Sequence, residues 1–392
     1  MDVGRLRATW AQASALGDAV PAFFYAVLFV ANPELRELFP VSMAAQRDRL
    51  FAALGRVVSQ VDNTDALVPY VAQLGRDHRR FDVRAEHYPA VGQALLTTLE
   101  HFLGDKWTPE VAADWQAAYG VLAQVMVDAA AEAATTTPAW WDAEIVAHDR
   151  RTPEIAVLQI VPRQRYGFLP GQSFAAETAY RPKVWRYLSP ANAPRDDGTI
   201  ELHVRAVDGG GVSSALVHAA QPGDELRMGA PVGTRLTLTS DTRRDLLLIA
   251  GGTGLAPLRA LTEQVVLEGG QRHVHLFVGA PTGRDLYDLP WLQLMTSRYR
   301  WLTVVVAVSA DSTYPGERGD VVDVALRRGR WDNHEIYVCG STPMVTGTID
   351  RLTHAGVDPA NLHTEEFDTS PTPDVPAQTP SAVSLRDGGS TR

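Results

Sequence analysis

Residues 246–257 read Leu-Leu-Leu-Ile-Ala-Gly-Gly-Thr-Gly-Leu-Ala-Pro, and this stretch decides how the last third of the chain folds. Five apolar residues without a polar break suit a parallel strand covered on both faces, since a strand with one wet face alternates. Gly251-Gly252-Thr253-Gly254 then turns the chain, and Leu255-Ala256-Pro257 opens a helix running to about Leu267. Loop N–H groups at such a strand-to-helix turn meet the pyrophosphate of a dinucleotide. The apolar-run theme returns at His273–Val278, Leu302–Val308 and Glu335–Val338. The spacing predicts a doubly wound α/β domain over residues 241–367.

Upstream the pattern changes. Glu154–Pro162, Ser173–Ala176, Ile200–Ala206 and Glu225–Met228 are short alternating segments bounded by Gly and Pro, which predicts an antiparallel β-barrel over residues 146–240. Further upstream, residues 1–134 are helix after helix, broken at Asn32-Pro33, at Phe39-Pro40 and between Asp105 and Pro109. The Thr-Thr-Thr-Pro run falls in a connector, residues 135–145. Residues 368–392 are polar and proline-rich, the composition of a disordered tail.

Composition narrows the function. The chain has 392 residues, a net charge of −10 and a single cysteine. The negative balance argues against nucleic acid or an anionic membrane as partner. One cysteine excludes an intrachain disulfide and fits a reducing, cytoplasmic setting. No N-terminal apolar segment reads as a signal peptide, and the early apolar run is too short to cross a bilayer.

Within the helical part, Leu67, Val71, Leu74 and His78 step by four, three and four residues and share one helical face. Gln46, Leu50, Leu54, Val57 and Val61 form a similar stripe in the preceding helix. By spacing alone, His78 is either a core histidine bonded to a backbone carbonyl or an iron ligand. Its company is more specific. Phe24-Tyr25, Phe29, Asn32-Pro33-Glu34-Leu35, Leu38-Phe39, Gln46, Leu50-Phe51, His78, Phe81, Tyr88 and Ala118-Tyr119-Gly120-Val121-Leu122 resemble, residue by residue, the globin half of flavohaemoglobins.

The resemblance continues through the reductase half. Leu169-Pro170-Gly171-Gln172, Arg186-Tyr187-Leu188-Ser189 and Gly209-Gly210-Gly211-Val212-Ser213 are similar to the flavin barrel of ferredoxin-reductase-like proteins. Gly251–Pro257, Cys339-Gly340-Ser341-Thr342-Pro343-Met344 and Phe367 are similar to its nicotinamide half. The family order, all-α globin then antiparallel FAD barrel then α/β nicotinamide domain, covers residues 1–367.

The resemblance implies haem b, FAD and NADH or NADPH as cofactors. It implies His78 as the proximal iron ligand, Phe39 on the haem edge and Leu50 limiting the space above the iron. Tyr25 and Gln46 supply the distal hydrogen bonds, and Tyr88 stands on the proximal side. Arg186, Tyr187, Leu188, Ser189, Gly211, Val212 and Ser213 hold FAD. Gly251, Gly252, Thr253, Gly254, Leu255, Ala256, Pro257, Cys339, Gly340, Met344 and Phe367 surround the nicotinamide nucleotide. The implied activity is NAD(P)H-dependent conversion of nitric oxide and oxygen to nitrate, with electrons passing from flavin to haem. Alternatives are a divergent member with another electron donor or a peroxide substrate, or a haem-based oxygen or nitric oxide sensor; Gly-Gly-Thr-Gly and the Cys-Gly loop argue for hydride input.

Three positions depart from the family. A proximal glutamate is replaced by Ala130, which predicts a weaker proximal hydrogen-bond network. Ser173 stands where an aromatic follows Pro-Gly-Gln, and Leu188 where an aromatic abuts the flavin ring, which together predict weaker FAD binding. Arg284 either meets a 2′-phosphate or is solvated. Cys339 has no histidine partner pattern and does not read as a nucleophile.

Overall fold

The computed structural model describes residues 1–207, 210–238 and 244–367. The sequence reading of Gly209 and of the tail at 368–392 lies outside the described residues. The chain divides into two compact units between Thr135 and Thr136.

Among the described residues the first unit has six α-helices, α1 (Val3–Ser14), α2 (Ala19–Ala31), α3 (Ala44–Ser59), α4 (Thr64–His78), α5 (Tyr88–Leu103) and α6 (Pro109–Ala134). Local chemistry sets their ends. The Asn63 side chain caps α4 by accepting from the Ala66 N–H, and Thr108 does the same for Val111 at the start of α6. Pro33 stops α2 and opens a 3₁₀ turn, as the Asn32-Pro33 break requires. Val61, read as the end of the α3 stripe, lies beyond the helix, which closes at Ser59.

The core of this unit gathers Leu6, Phe24, Tyr25, Leu28, Leu95, Leu99 and Trp115. Each fully buried leucine contributes roughly 1.5–3 kcal/mol of transfer free energy. Helices α4 and α6 approach closely at Gly75, where a Cβ would lie 2.3 Å from the Met126 carbonyl oxygen. Any larger residue there would push α4, and His78 with it, off α6.

Among its described residues the second unit holds two sheets. β1 (Trp141–Arg150), β2 (Ile155–Pro162), β3 (Ser173–Thr178), β4 (Arg186–Leu188), β5 (Ile200–Arg205) and β6 (Glu225–Val232) pair antiparallel in the order β4-β3-β6-β1-β2-β5. A Pro190–Leu202 bridge draws the two edges together into a nearly closed barrel. β1 begins at Trp141, inside the stretch read as connector. Alternation had been masked there by Trp140-Trp141, yet Trp141, Ala143 and Ile145 face the barrel core. A short helix, α7 (Val212–His218), follows Gly211; the turn-rich sequence gave no sign of it.

The second sheet is parallel throughout. Its strands are β7 (Leu246–Gly251), β8 (Val274–Ala280), β9 (Leu302–Val308), β10 (Glu317–Arg318), β11 (Glu335–Ser341) and β12 (Leu362–Phe367), ordered β10-β9-β8-β7-β11-β12. Helices α8 (Leu255–Leu267), α9 (Leu289–Arg298), α10 (Val321–Arg328) and α11 (Thr342–His354) cover it. Leu246, Leu248 and Ala250 pack with Leu255 and Leu258 on one face, while Leu247 and Ile249 pack with Val324 and Val345 on the other. The uninterrupted apolar run is explained by this burial on both sides.

Among the described residues no single helix is long and apolar enough to cross a membrane; α1 and α2 pass such a test only as a pair, bent by 97°.

Candidate haem, flavin and nucleotide sites

In the helical unit the structure brings Tyr25, Phe29, Phe39 and Gln46 together. The Tyr25 ring meets Phe39 edge-on at 5.5 Å and Phe29 at 5.7 Å. Its hydroxyl donates to the backbone carbonyl of Gln46 at 3.5 Å, the outer limit of a hydrogen bond. Burial pushes the Tyr25 phenol up to about 12, with Gln46 and Arg49 pulling the other way. The phenol therefore keeps its proton at neutral pH and is held only loosely, so the proton remains available to a better acceptor. Leu50 lines a small apolar cavity with Phe24, Leu54 and Leu99.

His78 closes α4 and belongs to a separate set of contacts. Its Nδ1 lies 2.6 Å from the Leu74 carbonyl oxygen, and its ring meets Phe81 edge-on at 6.4 Å. A carbonyl only accepts, so Nδ1 carries the proton and the Nε2 lone pair is left for another partner. Burial lowers the pKa of the ring, with Leu74 and Asp77 opposing, which favours the neutral form a metal requires. Both readings of His78 thus meet in one geometry: the carbonyl bond is present, and it orients the second nitrogen. The α3 face with Gln46, Leu50, Leu54 and Val57 and the α4 face with Leu74 and His78 stay only half-buried. An apolar ring with an iron at its centre fits that donor set. Tyr88 opens α5, half-buried, and its backbone carbonyl accepts from the Tyr119 hydroxyl at 2.6 Å. Ala130 is half-buried on α6 and offers no acceptor.

In the barrel, β4 presents Arg186, Tyr187 and Leu188, and Ser189 follows. Ser189 is buried, and its hydroxyl oxygen has no hydrogen-bond partner among the described residues. A buried orphan hydroxyl is costly unless something meets it, and the edge of a flavin ring, rich in N–H and C=O, fits. Gly211 sits at the start of α7, with Arg181 beside it; Val212 and Ser213 are buried. The two aromatic departures have a geometric sequel. Phe174, one residue after Ser173, points into the barrel core and pairs in register with Leu188, so Ser173 faces the other way. There it meets Glu365 of β12. Burial pushes the Glu365 carboxyl up to about 7, with the Arg235 charge and the Ser173 hydrogen bond opposing.

In the nucleotide fold, Gly251 ends β7, Gly252–Gly254 form a 3₁₀ turn, and α8 starts at Leu255. A Cβ on Gly254 would lie 2.2 Å from the carbonyl oxygen of Cys339, so the glycine loop and the Cys-Gly loop can touch only through glycine. Leu255, Ala256 and Pro257 are buried in the core, which leaves only their backbone for a ligand. The same holds for Cys339, whose thiol burial pushes well above its ordinary pKa. That leaves it inert as a nucleophile, as its isolation in sequence implied. Met344 packs on Gly251 and Gly340, and Phe367 ends β12 beside Ser341.

A cluster the sequence reading missed joins the barrel to the nucleotide fold. Arg259 of α8 reaches Glu201 of β5 at 2.6 Å and Asp288 at 2.9 Å. His203 lies 3.1 Å from Glu201 and 2.8 Å from the Tyr287 hydroxyl. One sign was available: Glu201, His203 and Arg205 alternate with Ile200, Leu202 and Val204. That is a strand with one apolar face and one polar face, and the polar face proves to be the buried interface.

The geometry defines a class: an α-helical globin joined to a flavin- and nicotinamide-dependent oxidoreductase. Family models agree, with Globin over residues 22–126, Oxidoreductase FAD-binding domain over 142–236 and Oxidoreductase NAD-binding domain over 248–350. A Flavohemoprotein of Deinococcus radiodurans is 31% identical over 294 residues, covering 71% of this chain and 72% of that protein. The crystal structure of flavohemoglobin from Malassezia yamatoensis, with FAD and heme bound, superimposes with a TM-score of 0.70 at 18% identity. It covers 93% of this chain and 98% of its own. The FAD/NAD-binding part of a nitric oxide dioxygenase from Vibrio cholerae shares the fold at 19% identity and TM-score 0.51, over 58% of this chain and 98% of that one. The chain belongs to the flavohaemoprotein family. Haem, FAD and a nicotinamide nucleotide are its cofactors, and it is an NAD(P)H oxidoreductase.

Proposed function

We propose that this flavohaemoprotein converts nitric oxide and oxygen to nitrate at the expense of NADH or NADPH. Tyr25 carries the proposal: a protonated, loosely bonded phenol packed against Phe39 beside Gln46. When bound, haem supplies an iron that binds oxygen and accepts single electrons, and FAD splits a hydride into such electrons.

The chain's own residues do the rest. His78 offers a neutral Nε2 to the iron, its ring fixed by the Leu74 carbonyl. Tyr25 and Gln46 would offer a phenol and an amide to negative charge on oxygen held there. Phe39 and Leu50 keep that space apolar and limit what enters it. Ser189 meets the flavin edge, and Arg186 with the Gly211–Ser213 backbone holds the FAD phosphates. The Gly251–Gly254 turn receives the nucleotide pyrophosphate, while Cys339, Gly340, Met344 and Phe367 shape the nicotinamide side. Tyr88 shapes the proximal side without a carboxylate at Ala130. The partners are therefore small molecules: oxygen, nitric oxide and the nucleotide. The buried single thiol suits work in a reducing cytoplasm.

Electron counting sets the test. Each nitrate needs one electron, so two nitrates form per nucleotide oxidised. Nitrate and NADH are measured together in aerobic solution with a nitric oxide donor. Wild type is expected to give that ratio, and Tyr25→Phe a markedly slower nitrate yield with NADH-driven flavin reduction intact. Equal nitrate rates in both would remove Tyr25 from the reaction.

A further inference from the structure

The buried cluster between β5 and α8 has no part in the chemistry above, yet it gathers a guanidinium, two carboxylates and an imidazole at one buried point. Arg259 Nη1 bonds both Glu201 and Asp288, and its guanidinium lies 4.6 Å from the centre of the Trp291 ring. Burial alone would raise the Glu201 carboxyl; the hydrogen bond from His203 and the charge of Arg259 outweigh it and bring it to about 2. Burial keeps His203 neutral and Tyr287 protonated. Tyr287 then donates to Nδ1 of His203, and Nε2–H donates to Glu201. In that tautomer the 3.2 Å approach of Arg259 Nη1 to Nε2 brings two donors together, so Arg259 donates to Asp288 and holds Glu201 as an ion pair.

Such a cluster is a poor way to gain stability. Desolvating several charges costs as much as their attraction returns, and apolar replacements are often neutral or better. What it provides is direction: an apolar contact can slide, whereas a guanidinium bonded to two carboxylates fixes one register. The register fixed here has a functional address. Glu201, His203 and Arg205 lie on one face of β5, and Arg205 Nη1 comes within 3.8 Å of a Cβ placed on Gly252. Arg259 is on the helix that grows directly out of the same glycine loop.

We propose that the Glu201–Arg259–Asp288 cluster is a positioning device that docks α8 onto β5, holding Arg205 over the glycine loop so that barrel and nucleotide fold together form one pyrophosphate site. The inference depends on nucleotide binding alone and not on what the haem does.

The test uses the full-length, FAD-loaded protein, with NADH mixed anaerobically in a stopped-flow instrument. Flavin bleaching against NADH concentration separates the dissociation constant from the limiting rate. The first variant, Glu201→Gln/Arg259→Met/Asp288→Asn, removes the charges while keeping volume. Arg259→Lys is the milder second variant, retaining charge without the forked reach. Both are expected to keep wild-type FAD content and melting temperature, and to bind NADH about fivefold more weakly or worse. Arg205→Ala should weaken NADH binding in wild type but add little in the triple variant, because Arg205 is already misplaced there. A purely structural cluster would give additive effects. Unchanged NADH affinity in both variants, or an equal Arg205→Ala factor in both backgrounds, overturns the proposal.

Discussion

Replacing Ser189 with alanine should have opposite effects on the empty and the flavin-loaded protein. In the structure the Ser189 hydroxyl is buried and unmatched among the described residues. A buried hydroxyl without a partner costs about 1–3 kcal/mol. Removing it relieves that cost, less a small loss of packing for one oxygen atom. Ser189→Ala is therefore expected to stabilise the flavin-free protein by about 1 kcal/mol, or roughly 2–4 °C for a domain of this size. With FAD present the same hydroxyl makes a hydrogen bond, worth a net ~0.5–1.5 kcal/mol. Flavin affinity should then fall about two- to thirteenfold. Denaturant titration of protein stripped of FAD gives the first quantity, and quenching of flavin fluorescence during titration gives the second. A variant that destabilises the flavin-free protein, or leaves FAD affinity untouched, would refute the assignment of Ser189 to the flavin edge.

Other outcomes follow from the same geometry. Glu365 should make stability fall on the alkaline side: its folded carboxyl holds a proton up to about pH 7 against an ordinary 4.5, so its contribution is full below about 4.5 and is lost as the pH rises through 7. Melting temperatures of wild type and Glu365→Gln should separate progressively between about pH 4.5 and 7 and run parallel above that; curves that stay parallel through the whole range would count against it. Gly254→Ala drives a Cβ into the Cys339 carbonyl and should cost about 1–3 kcal/mol as well as NADH affinity; urea unfolding and NADH titration check both. Ala130→Glu places a carboxylate on the proximal side of α6 and should shift the haem reduction potential downward, which a spectroelectrochemical titration would read directly; an unchanged potential would mean that α6 does not face the histidine there.

Much of this was legible in sequence because it rests on local rules. The run Leu246–Ala250 and the glycines after it specify strand, turn and helix within a dozen residues, and β7 and α8 formed there. The step Leu67–Val71–Leu74–His78 gave one face of α4 in the same way. What escaped depends on partners far along the chain. Nothing near Arg259 announces Glu201, because the bond spans barrel and nucleotide fold. Nothing near Ser173 announces Glu365, which arrives on the last strand. Trp140-Trp141 hid the start of β1 because two adjacent aromatics blur a period of two. Short α7 escaped because its seven residues follow a glycine run that reads as loop.

The most direct measurement adds NADH anaerobically, under carbon monoxide, to the full-length protein loaded with haem and FAD, and follows the visible spectrum. Flavin bleaching followed by the Soret shift of a carbon monoxide complex of reduced haem is expected in wild type, and no such complex with the Soret band of bound haem in His78→Ala. Bleaching of the flavin with the haem left oxidised in wild type, or an unaltered Soret response in His78→Ala, would contradict the account.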